Sequence, residues 1–130
     1  MILSTSASRI RQIAAIFGII AVIFGAFGAH ALKAQLNATA LENWKTAVNY
    51  QFVHALALLL LATLPANTFI RLSAWFFGFG ILLFSGSLYL LSLKNILGIN
   101  AGFIGPITPI GGLFFIIGWA FLFISAFKKN

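Results

Sequence analysis

Residues 72–93 read LSAWFFGFGILLFSGSLYLLSL, a run with no charged side chain. At about 1.5 Å per residue, a helix of this length covers about 33 Å, enough to cross a hydrocarbon core of about 30 Å. Three further apolar runs lie to either side of it, at 10–29, 47–64 and 107–127. The four together predict an all-α membrane protein: four transmembrane helices in an antiparallel bundle, forming a single domain over 1–130. The chain is 62% hydrophobic and 7% charged, with a mean hydropathy of +1.08. Such a composition lies far from that of a soluble domain, and the four spans leave no length for one.

The absence of cysteine excludes disulfides, thiolate catalysis and iron–sulfur ligation. The formal net charge of +7 is not a nucleic-acid signature, because the cations stand singly or in pairs beside the spans. There they orient helices and meet anionic head groups. Ala29-His30-Ala31 has the form of a signal-peptidase site, but the run before it exceeds a signal core of about 7–15 residues. That run also carries small residues at helical spacing, so the first span is expected to be retained.

Ala14, Gly18, Ala21, Gly25 and Ala29 form a smooth stripe on the first span, against which another helix can pack. Gly28, Gly78 and Gly86 are further packing candidates. Gly111, Gly118 and Ser125 recur every seven residues along the fourth span, and Gly112 stands beside the first of them. Thr39-Ala40-Leu41-Glu42 reads as a capping box, so the second helix is expected to begin near 39 and to hold Trp44 at the membrane interface. The Gly-rich segment 94–106 reads as a connector, and Pro106 and Pro109 suit the first turn of the fourth helix. With four spans, one side carries Arg9, Arg11, Arg71, Lys128 and Lys129, and the other Lys33, Lys45 and Lys94 with Glu42. The excess of basic residues predicts both termini on the cytoplasmic side.

Alternating helix directions bring the polar residues of the spans toward one leaflet. His30 ends the first span; Tyr50, Gln51 and His54 lie in the outer half of the second. Ser85, Ser87 and Tyr89 lie in the outer half of the third, and Thr108 with Gly111-Gly112 opens the fourth. The inner halves read as aliphatic and Phe. Asn43, Tyr50 and His54 fall within about 40° on one helix face, and Ser85 and Tyr89 share a face with Gly78. Polar groups in hydrocarbon must find partners, each unsatisfied one costing several kcal/mol. A pocket or hydrogen-bond network between the second and third helices is the expectation. The plainer reading is that a neutral His54 only bonds a Tyr or Ser on the next helix. Intramembrane ionisable residues otherwise point to function.

The motifs also carry a resemblance. Gly25-Ala26-Phe27-Gly28-Ala29-His30, Tyr50-Gln51-Phe52-Val53-His54-Ala55-Leu56-Ala57, Phe84-Ser85-Gly86-Ser87-Leu88-Tyr89 and Thr108-Pro109-Ile110-Gly111-Gly112, with Gly118-Trp119, follow one another in order. They resemble the four span motifs of the transmembrane protein 256 family, also called the domain-of-unknown-function 423 family. Ala31 stands where that family often has Gly or another small residue. The resemblance implies a four-helix protein of the bacterial inner membrane with mitochondrial relatives; it implies no activity.

The sequence therefore points to a non-enzymatic membrane component. Glu42 is its only carboxylate side chain, too little for a Ser nucleophile that needs a base and an orienting acid. The leading expectation is a lipid or hydrophobic-ligand binder, or an accessory subunit, whose partners are the bilayer and either a homo-oligomer or a larger complex. The alternative is transport of protons or a small solute through an oligomer, using His54 with Tyr50 and Ser85. No cofactor or metal is expected: His30 and His54 differ in depth by about 10 Å and offer too few ligands.

Overall fold

The computed structural model describes residues 5–128. Lys129, one of the basic residues assigned to the terminal side, lies outside the described residues. Within them the chain forms four helices and no strand: α1 (Thr5–Ala29), α2 (Ala38–Leu61), α3 (Thr68–Leu97) and α4 (Ile107–Ser125). Inside α3 the turn Ile81–Ser85 is π-helical.

The helix ends have local causes. Asn37, not Thr39, caps α2: its Oδ1 accepts from the Ala40 N–H at 2.8 Å. Asn37, in extended backbone two residues before Thr39, takes the capping place from the expected box, and Glu42 is left exposed. Asn67 caps α3 in the same way, accepting from Ile70 N–H at 2.9 Å. α3 runs past the expected boundary at 93 and stops where Gly98 turns left-handed at φ 64°. Ile99 N–H then closes the end on the Lys94 carbonyl at 3.1 Å. Pro106 precedes α4 and Pro109 sits in its first turn, where a missing N–H breaks no helical bond. α2 ends at Leu61, three residues before the expected limit, because Thr63 and Leu64 close back on Leu60 and Leu61 as a turn.

By length and composition α1, α3 and α4 are apolar enough to cross a membrane. α2 is not, since Lys45, Asn49, Gln51 and His54 interrupt its apolar run. Yet α2 holds the centre. α1 packs along α2, α4 packs along α3, and α2 joins the two pairs by packing on α3. Gly28 meets Trp44, Gly25 meets Val48 and Phe17 meets Gln51, so residue numbers fall on α1 as they rise on α2. The second pair reads the same way, from Ser73 against Gly118 to Gly80 against Phe115 and Ser87 against Thr108.

Large apolar side chains lie on both sides of the bundle surface. Ala14, Ala21, Ala47, Ala55 and Ala57 are buried with Ser73 and Ser85 around Leu58, Phe77 and Phe115, whereas Ile16, Ile19, Leu56, Leu82, Ile116 and Phe123 are exposed. This is the arrangement expected when the surroundings are as apolar as Leu and only close backbone approach separates packed from unpacked helices. A methyl on Gly28 would meet the Trp44 indole at 2.6 Å, and methyls on Gly80 and Gly118 would meet the Phe115 and Phe77 rings at 2.6 Å. At Gly111 the obstruction is the Phe84 backbone itself, at the π turn. Gly112 makes only ordinary contact with the Phe84 ring. Gly18, Gly78 and Gly86, expected as packing positions, have nothing within 4 Å of the point a methyl would occupy. The contact face of α1 passes instead through Ala14, Ala21 and Gly28.

Candidate functional site

The buried polar groups form separate junctions, each tying two or three helices. At the first, Tyr89 Oη on α3 donates to Gln51 Oε1 on α2 at 2.7 Å, and Gln51 Nε2 donates to the Phe17 carbonyl on α1 at 2.8 Å. One amide thereby joins three helices. Beside it, Phe24, Trp44 and Tyr89 pack ring against ring with centroids 4.7–5.3 Å apart. Trp44 is turned inward, and its N–H donates to the Phe24 carbonyl at 2.7 Å.

The second junction is His54. Its ring lies face to face with Phe115 of α4, centroids 3.6 Å apart and planes within 9°. Phe77 of α3 meets it edge-on at 5.2 Å. Trp119 Nε1 donates to His54 Nε2 at 3.0 Å, while Nδ1 lies 2.8 Å from the Tyr50 carbonyl one turn earlier. An indole nitrogen can only donate and a carbonyl can only accept, so the ring that satisfies both bonds is neutral imidazole with its proton on Nδ1. The sequence places His54 opposite Ser85 and Tyr89 on the third helix; it faces α4 instead. Trp119 is the partner that reading His, Ser and Tyr alone overlooks. An indole N–H in the middle of an apolar span is itself a signal, because that donor needs an acceptor.

The remaining candidates occupy places of their own. Ser85, the last residue of the π turn, donates to the Ala47 carbonyl at 2.7 Å. Ser87 and Thr108 share a hydrogen bond of 2.6 Å between α3 and α4. Tyr50 is 44% exposed, its ring stacked toward Phe84 and Phe115. His30 is exposed in the turn after α1, outside the hydrogen bonds that join the other candidates. The half of the bundle nearer the termini is also less plain than its sequence reads: Ser73 is fully buried and donates to the Gly118 carbonyl at 2.8 Å. A lone serine among Phe residues gives little sequence signal, and its acceptor is a backbone atom. Among the described residues no buried side-chain nitrogen or oxygen lacks a partner.

Clefts remain between helices. One, of about 540 Å³, opens between α2 and α4 and is lined by Tyr50, His54, Phe84, Gly112, Phe115 and Trp119. Another, of about 440 Å³, lies between α1 and α3 over Leu58, with Arg9 and Arg71 among its lining residues. Among the described residues no three His, Cys, Asp or Glu side chains converge. The hydroxyls of Ser73, Ser85, Ser87, Ser92 and Ser125 are engaged with carbonyls or with Thr108, and none of them is hydrogen-bonded to His54.

Long apolar helices, buried alanines and glycines at the helix contacts and an exposed outer shell of Ile, Leu and Phe define a helical integral membrane protein. Residues 24–112 match the model of the family described as a protein of unknown function, DUF423, and the chain belongs to that family. A UPF0382 membrane protein of Staphylococcus saprophyticus is 45% identical over 116 residues, covering 88% of this chain and 92% of the relative. The UPF0382 membrane protein YwdK of Bacillus subtilis is 40% identical, covering 88% and 92%. The UPF0382 inner membrane protein YgdD of Escherichia coli is 38% identical, covering 88% and 86%. No solved structure matches. The resemblance read from the four motifs is thus the family itself, and the chain is a bacterial inner-membrane protein. Trp119 lies beyond the stretch that the family model matches.

Proposed function

We propose that this protein is a non-enzymatic four-span bundle that holds lipid or another hydrophobic ligand between its helices, with both termini on the cytoplasmic side. The observation that carries this reading is the contrast between its polar and apolar parts. Each buried polar side chain described is already bonded within the chain, while two largely apolar clefts stay open between helices.

The place of α2 as a fourth span rests on where its polar residues lie. Gln51 and His54 are buried against α1, α3 and α4, whereas Val53, Leu56, Leu59 and Leu60 face outward. A helix too polar by average can cross a bilayer when its polar side is enclosed by neighbours. The direction of insertion rests on Arg9, Arg11, Arg71 and Lys128 near one end, against Lys33, Lys45 and Lys94 near the other. Transport through His54 is the weaker reading, because both ring nitrogens are engaged inside the bundle.

Native mass spectrometry of the protein from gently extracted membranes tests the proposal. A discrete added mass of a lipid or hydrophobic molecule is the expected result. A stable hetero-complex would make the chain an accessory subunit, and a bare protein would overturn ligand binding. Flux in proteoliposomes that disappears in His54→Ala would restore the transport reading.

A further inference from the structure

The geometry points to an anionic phospholipid bound in the cleft between α1 and α3, its phosphate between Arg9 and Arg71 and one acyl chain along Gly78. This inference rests on the ligand-binding reading above and names the site and the ligand class.

The cleft exists because α1 packs on α2 while α4 packs on α3, leaving α1 and α3 apart with Leu58 of α2 between them. Its walls are Ile13 and Phe17 on one side and Gly78 and Leu82 on the other. From Arg71 to Leu82 it runs about 16 Å along α3, at 1.5 Å per residue. That is about half of a hydrocarbon core of about 30 Å, the depth of one leaflet and of the acyl chain in it. Gly78, in the wall of the trough, has nothing within 4 Å of the point where a side chain would begin, which leaves room there for an acyl chain. Trp75, 64% exposed, stacks on Phe79 at 5.6 Å one turn inside Arg71, the depth at which indoles favour the head-group boundary.

Charge selects the head group. Arg9 and Arg71 are exposed at the same end of the cleft, and no acidic side chain is available to either. The sequence has one, Glu42, near the Gly28–Trp44 contact, about 28 Å from Arg9 along α1 at 1.5 Å per residue. Two guanidinium groups with no acidic side chain beside them, above an apolar trough one leaflet deep, match a phosphodiester with its acyl tail. Guanidinium binds phosphate in a fork geometry, and basic pockets between transmembrane helices on the cytoplasmic side hold anionic head groups. A free phosphate would leave the trough empty, and a zwitterionic lipid, though it offers the same phosphate, would add its own cation beside two arginines.

The test is native mass spectrometry of the full chain in nanodiscs of equal phosphatidylglycerol and phosphatidylcholine with identical acyl chains. Wild type is expected to retain phosphatidylglycerol over phosphatidylcholine by about thirtyfold, the sum of two arginine–anion contacts. In Arg9→Gln/Arg71→Gln that preference should fall close to one. Gly78→Leu should remove the bound lipid while leaving the thermal unfolding temperature unchanged or raised, since no neighbour stands in the way of its side chain. Equal retention of both lipids by wild type, or a preference that survives both variants, overturns this site but leaves lipid binding elsewhere in the bundle standing. A dimer that Gly78→Leu dissociates would show a second copy in the cleft and overturns it equally. Wild type that keeps no lipid at all overturns the broader ligand-binding reading as well.

Discussion

Trp119 and His54 are joined by one hydrogen bond of 3.0 Å from the indole Nε1–H to Nε2, the polar tie between α4 and α2. The backbones of these helices do not pack along each other; side chains of His54, Phe115 and Trp119 bridge the gap. Removing the donor should therefore weaken the bundle without dismantling it. Trp119→Phe is expected to cost about 0.6–1.7 kcal/mol in a reversible unfolding titration in mixed micelles, the range of interhelical hydrogen bonds in bilayers. His54→Ala should cost more, because it also empties the space between Phe77 and Phe115. A cost for Trp119→Phe that persists undiminished in the His54→Ala background would show that the bond contributes nothing.

The same bond dictates the tautomer. Nitrogen-15 NMR of the His54 ring should show a neutral imidazole protonated on Nδ1, with Nε2 as the acceptor. A proton found on Nε2 would mean that Trp119 does not donate there.

Gln51 should show the asymmetry between losing one hydrogen-bond partner and losing both. Gln51→Leu leaves the Tyr89 hydroxyl buried without its acceptor and is expected to cost about 1–3 kcal/mol. Gln51→Leu/Tyr89→Phe should recover part of that loss, since no stranded hydroxyl remains. A double variant less stable than the single one would place the cost in packing alone.

The glycines divide into two groups by what surrounds them. Gly111→Ala places a methyl against the backbone of Phe84, which cannot move aside, and should lower the unfolding temperature sharply. Gly18→Ala and Gly86→Ala meet nothing within 4 Å and should be neutral or stabilising by about 0.5–1 kcal/mol through helix propensity. Equal effects at Gly111 and Gly18 would contradict the close approach of α3 and α4.

The absence of native cysteine makes single-cysteine labelling clean. In intact cells, Lys33→Cys and Asn100→Cys should react with a membrane-impermeant maleimide added from outside. Ser6→Cys and Lys128→Cys should react only after permeabilisation. Labelling of Ser6→Cys and Lys33→Cys from the same side would exclude α1 as a span.

Much of the architecture is legible in the chain because hydrocarbon imposes a simple rule. Apolar length and the need to satisfy the backbone internally determine that 72–93 is helical and long enough to cross, and the same holds for α1 and α4. The family motifs are legible too, and so is the fact that Tyr50, Gln51, His54, Ser85 and Tyr89 must find partners. What those partners are could not be read from spacing. Three of the acceptors are backbone carbonyls, of Phe17, Ala47 and Tyr50, as is the Gly118 carbonyl that takes the Ser73 hydroxyl, and none carries a side-chain signature. Helix rotation decided the rest. Side chains three or four residues apart share a face, but which neighbour that face meets depends on how closely glycine lets two backbones approach. Gly111 against Phe84 brings α4 onto the π turn of α3, and that contact, not any local preference, carries Trp119 to His54. The sequence by itself determined a helical membrane protein with polar groups in need of partners. Only the tertiary structure decided that those groups pair with one another and with backbone carbonyls, because hydrogen-bond partners are chosen by the distance between helices and not by position along the chain.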